Sequence, residues 1–160
     1  MKRKNRIVIS LLLIICLLVG STILPTLLGT SKQTVVRSSL KWALVHNRLP
    51  DINLIGKDKG FILSLDNIEG ASIPKFDGIT ITCMKQSDIM ELANRQGDFL
   101  YLRFKSIKVG WFESTVVLEN AWAKSENSTT GYLSGGGFSR TYYNILGFWI
   151  PSGKNSMWIA

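Results

Sequence analysis

Residues 98–143 leave this chain the fewest options. The run reads DFLYLRFKSIKVGWFESTVVLENAWAKSENSTTGYLSGGGFSRTYY. Leu100, Leu102 and Phe104 alternate with Tyr101, Arg103 and Lys105, the two-residue period of a half-buried strand. After Ser106 the apolar side switches to Ile107 and Val109, which predicts a bulge or a strong twist. Gly110 turns the chain, and Phe112, Val116, Leu118 and Trp122 then alternate with Glu113, Thr115, Glu119 and Ala123. A polar connection over 124–130 leads to a third, glycine-rich strand around Gly135, Gly136 and Gly137. The last strands are expected over 145–150 and 156–159, joined by Pro151-Ser152-Gly153. Successive strands with short connections predict an antiparallel sheet.

The first thirty residues read as a separate segment. No charge occurs between Arg6 and Lys32, and residues 7–28 are apolar apart from Ser10, Ser21, Thr22 and Thr26. A run of that length spans a bilayer as a helix, whereas the apolar part of a cleavable signal peptide is shorter, about 7–15 residues. The anchor is the preferred reading. The signal peptide stays open, with Gly29 and Ser31 small enough to flank a cleavage point. Lys2, Arg3, Lys4 and Arg6 hold the head in the cytoplasm, so either reading exports the rest. Residues 1–30 are therefore head and anchor, and 31–160 one extracytoplasmic α+β domain. Four of the 19 basic residues are in that head, so half of the net charge of +8 is topogenic. The domain's remaining excess is too modest and too scattered for a nucleic-acid interface.

Residues 31–47 read as a helix with Val36, Leu40, Ala43, Leu44 and Asn47 inward, ended by Pro50. His46, the single histidine, falls at its surface end. Short strands follow at 60–65 and 79–83, the second placing Cys83 with Ile79 and Ile81 as a buried, inert thiol. A second helix spans 87–96, with Ser87 or Asp88 as cap, Ile89, Leu92 and Ala93 inward, and Gly97 as stop.

Chemistry is sparse. The glycine triplet fits neither phosphate-loop pattern, and strand signals surround it, so a bend or close approach is the expected role. Ser134 and Ser139 have no base near them in the chain, and one histidine with scattered acids offers no metal-ligand spacing. Two cysteines, one of them Cys16 in the apolar run, give no disulfide framework. Glu113 and Glu119 are a carboxylate pair by parity, but solvated strand positions explain them. No residue is therefore expected to serve catalysis, a cofactor or a metal. The candidate pocket or partner surface comprises Arg103, Glu119, Trp122, Tyr142, Trp111 and Trp158, with Trp122 expected mainly as core.

The segments GDFLYLRF (97–104), LENAWA (118–123), GYLSGGGF (131–138) and the ending with Phe148-Trp149 and Met157 to Ile159 resemble a set of short single-anchor bacterial proteins, many cyanobacterial, without an assigned function. That set has a basic residue before the penultimate tryptophan, where this chain has Phe148, and it supplies no catalytic residues. The order of elements is also similar to NTF2-like and cystatin-like folds, which implies a helix across a curved sheet and a cone-shaped pocket, filled or binding. The expectation is an anchored α+β domain with an antiparallel, curved sheet and one or two packed helices. It acts as a non-enzymatic binding or assembly module, with membrane lipid at the N-terminal helix and an envelope protein as partner. The alternative is a small-ligand pocket protein or enzyme of the NTF2-like type.

Overall fold

The computed structural model describes residues 31–52, 55, 60–68, 73–129, 131 and 135–159. Helix α1 covers residues 31–45, α-helical to 40 and π-wound over Lys41–Val45, where His46 N–H reaches the Lys41 carbonyl. Strands β1 (Phe61–Ser64) and β2 (Ile81–Met84), helix α2 (Gln86–Gln96), and strands β3 (Phe99–Val109), β4 (Glu113–Ala123), β5 (Gly137–Ile145) and β6 (Phe148–Trp158) follow. They form one six-stranded sheet in the order β2-β1-β3-β4-β5-β6. Among the described residues no helix is long and apolar enough to cross a membrane; the expected anchor over 7–28 lies outside them.

The sheet is mixed, which corrects the antiparallel expectation at one edge. β3 to β6 form an antiparallel meander, but β1 runs parallel to both β2 and β3. Parallel neighbours need a crossover, and α2 supplies it by carrying the chain from β2 over β1 to β3. Alternation in a four-residue strand tells which face a side chain takes, and says nothing of strand direction.

Both faces of the sheet are covered. On one, Val35, Val36, Leu40, Ala43 and Leu44 of α1 pack on Leu100, Leu102, Phe104, Val116, Leu118, Phe138 and Tyr142. On the other, Ile89 and Ala93 of α2 pack on Tyr101 and Ala123, with Ile62, Met84, Phe99 and Ala121 around them. The expected bulge is present: the β3–β4 register shifts between Phe104 and Ser106, which returns Ile107 and Val109 to the α1 side. Asn47 leaves the expected inner face of α1 and turns the chain at φ 54. α2 starts at Gln86 after Lys85, which makes no side-chain cap; Ser87 Oγ instead donates to Asp88 Oδ1. Gly97 stops the helix at φ 87, as expected. Cys83 is only half-buried, with desolvation pushing its thiol pKa up.

The two expected C-terminal strands are one. β6 runs through Pro151-Ser152-Gly153, with Pro151 opposite Tyr142 and a register shift between Arg140 and Tyr142. Proline is tolerated because β6 is the sheet edge, where its missing donor faces outward. The turn before β6 is Leu146-Gly147.

Three contacts fix the direction of α1 and of the chain after it. Pro50, beyond its end, lies against Gly136, the Trp42 ring sits 4.6 Å from that of Phe138, and Ser39 Oγ lies 2.8 Å from Tyr142 Oη. From 50 back to 39 the chain moves forward along β5 from 136 to 142. The start of α1 therefore points to the sheet end that carries the β3–β4 and β5–β6 turns.

Candidate functional site

The bulge and the glycine triplet together shape a cleft of about 360 Å³ on the α2 face, lined by Tyr101, Arg103, Lys105, Glu119, Trp122, Lys124 and Trp158 among others. Arg103 and Glu119 are cross-strand partners in the β3–β4 register. Arg103 Nε donates to Glu119 Oε1 at 2.7 Å, and Nη2 lies 2.6 Å from the same oxygen. Lys105 Nζ stands 3.7 Å from Oε2. The carboxylate side chain is only 8% exposed, whereas Arg103 and Lys105 are 42% and 64% exposed. Burial of Arg103 alone would lower its pKa, but the hydrogen bond and charge of Glu119, with a contribution from Tyr101, outweigh it and raise it. Three cationic side chains thus line a cleft that holds one carboxylate.

The glycines form the wall behind this group. A Cβ on Gly137 would lie 2.5 Å from Trp158 Cζ2 and 2.8 Å from Glu119 Cβ, and one on Gly135 only 2.1 Å from the Asn120 carbonyl oxygen. None of the three has a positive φ, so the requirement is close approach and not backbone freedom. Without side chains at these positions, β5 seats against Asn120, whose N–H bonds the Gly136 carbonyl at 2.9 Å, and the Trp158 indole lies over the strand. Asn120 Nδ2 also donates to the Pro50 carbonyl at 2.6 Å, joining the α1 end to the same corner.

Of the six residues expected at a pocket or partner surface, the structure brings four together: Arg103, Glu119, Trp122 and Trp158. Tyr142 is on the opposite face, fully buried, bonded to Ser39 and flanked by Arg140, 5.6 Å from its ring. Desolvation raises its pKa despite the Ser39 hydrogen bond and the Arg140 charge. Trp111 sits at the β3–β4 turn. Glu113 is exposed at that same end, about 20 Å from Glu119 at ~3.3 Å per strand residue, so the two do not form a catalytic pair. The additional lining residues Tyr101 and Lys105 were legible in principle, because they share parity with Arg103; Lys124 follows the strand and has no pattern to mark it. Exposed His46 stands at the end of α1. The α1 face, where a cone-shaped pocket would open, is filled by fully buried Leu118, Phe138 and Tyr142. Among the described residues no group of three histidines, cysteines and acids is placed to hold a metal. Two further hollows, of about 440 and 460 Å³, each have a single charged lining residue, Asp98 and Arg48 respectively.

A second surface is apolar. Leu146 is 94% exposed, Phe112 81%, Phe148 73% and Trp111 58%, with Ile145 and Ile150 beside them. They belong to the two hairpin turns, which the Asn144 N–H to Phe112 carbonyl bond at 2.8 Å holds side by side.

Fold and site thus define an α+β domain with a mixed six-stranded sheet, a cationic cleft on one face and an apolar end. No protein family, no curated protein and no solved structure matches the chain.

Proposed function

We propose that the chain is a single-pass, membrane-anchored binding module of the extracytoplasmic space, and that its site is the α2-face cleft. The anchor is residues 7–28, by their length and their basic cytoplasmic flank. The observation that carries the site is the convergence of two partly exposed cations, Arg103 and Lys105, on the single buried carboxylate Glu119 of the cleft. A structural ion pair needs one cation, and the surplus favours an anion. Tyr101 and Trp158 add flat apolar wall, so the ligand class is an anionic group attached to a planar apolar body, a carboxylate being the simplest case. Glu119 has its charge committed to two cations and has no acid or histidine beside it among the lining residues, which supports binding over catalysis.

The test is a fluorescence titration of the full-length protein in nanodiscs with 2-naphthoate. Saturable binding that weakens about tenfold in Arg103→Gln supports the reading. Equal titration of wild type and variant would remove the cleft from it.

A further inference from the structure

We infer that the paired hairpin turns of Trp111-Phe112 and Leu146-Gly147 insert into the surface of the bilayer that holds the chain. The inference rests on the anchored reading above. If residues 7–28 cross the membrane, residue 28 leaves it three positions before 31, a reach of at most about 10 Å. From Ser39 back to residue 31, α1 extends about 12 Å at 1.5 Å per residue. From Tyr142, bonded to Ser39, β5 extends about 13 Å to Leu146 at ~3.3 Å per residue. The helix start and the hairpin turns are therefore level, at the same end of the sheet, and the short connection brings both to the lipid head groups.

The residues at that end suit the location. Leu146 has φ 52 and Gly147 φ 90, the backbone of a turn that favours Asn-Gly. Among the described residues the other non-glycine positions with positive φ are Asn47, Asp51 and Asn67, types that tolerate it. Leu146 is the exception, and it is also almost fully exposed. A leucine there disfavours the isolated fold twice over, by its backbone and by its hydration, and lipid contact offsets the second. Charged residues on the flanking strand ends are Lys108 and Glu113, and Lys32 stands at the start of α1, which leaves a small positive balance toward head-group phosphates.

The test uses the full chain, with Cys16→Ser and Cys83→Ala, in vesicles of equal parts phosphatidylcholine and phosphatidylglycerol. A polarity-sensitive fluorophore is placed at Leu146→Cys, at Phe112→Cys as a second site, and at Asn127→Cys on the opposite end of the sheet. Lipids carrying a nitroxide on the upper acyl chain should quench the labels at 146 and 112 by about half and leave that at 127 unchanged. Labels at 146 and 112 that match 127 and yield to an aqueous quencher overturn the insertion. So do labels that quench one another between chains without lipid quenching, which would mean a second copy covers the turns. Alkaline carbonate extraction of the same vesicles separates the two claims: a chain that remains integrated with unquenched labels refutes insertion alone, whereas a chain released to the supernatant refutes the anchor as well.

Discussion

Replacing Glu119 with glutamine separates a structural ion pair from a binding site, because stability and binding should move in opposite directions. The glutamine carbonyl can still accept from Arg103, but the oxygen 3.7 Å from Lys105 Nζ becomes an amide donor facing an ammonium. Removing one member of a fully buried pair costs about 3–5 kcal/mol, and an exposed pair is worth about 0–1 kcal/mol. Glu119 is buried while both cations are more than one-third exposed and can rehydrate, so the loss should be about 1–2 kcal/mol. At roughly 4 °C per kcal/mol for a domain of this size, differential scanning fluorimetry should show the Tm falling by about 4–8 °C. The same change removes the negative charge from the cleft. Loss of about 1 kcal/mol of repulsion should tighten 2-naphthoate about fivefold. A lower Tm with unchanged or weaker binding would refute the anion-binding assignment and leave a purely structural pair.

Gly137→Ala should destabilise by about 1–3 kcal/mol in chemical denaturation, because the new Cβ meets the Trp158 indole and the Leu118 carbonyl; a neutral result would show that the triplet is not there for close approach. Burial pushes the Tyr142 phenol above the ordinary tyrosine range of about 10. Its contribution is therefore complete below about pH 10 and is lost as pH rises through the folded value. Alkaline unfolding followed by circular dichroism should set in above about pH 10, and Tyr142→Phe should remove that part of the pH dependence. The same substitution leaves Ser39 Oγ buried without its partner, costing about 1–3 kcal/mol at neutral pH, and adding Ser39→Ala should recover much of it in a double-mutant cycle. Leu146→Asn should raise stability in detergent by about 0.5–1 kcal/mol by relieving the positive φ.

Much of the fold was legible because its signals are local. The alternation in 99–109 predicts β3 to the residue, and the phase change after Ser106 predicts the bulge. Most inner residues of α1 and α2 follow from spacing, except Asn47, which turns the chain beyond α1, and Leu92, which is only half-buried. Strand direction was not legible: Phe61 to Ser64 carries four side chains, and their parallel pairing with β2 and β3 depends on where α2 crosses. Nor was β6, since proline and glycine break a sequence pattern without breaking an edge strand. For the cleft, parity places Arg103 and Glu119 on the same face, but only the register makes them partners. Tyr142 shows the converse limit: a buried tyrosine and a cleft tyrosine look alike until Ser39, 103 positions away, is brought to its hydroxyl.

Membrane topology is the most direct test of an anchored domain held outside the cytoplasm. The full chain, with an N-terminal epitope tag, is produced in a bacterial host and trypsin is added to intact spheroplasts. Trypsin should digest the domain and leave a short tagged remnant, containing residues 7–28, in the carbonate-washed membrane. A domain that survives until the spheroplasts are lysed contradicts the export, and a mature chain released without its tag contradicts the anchor.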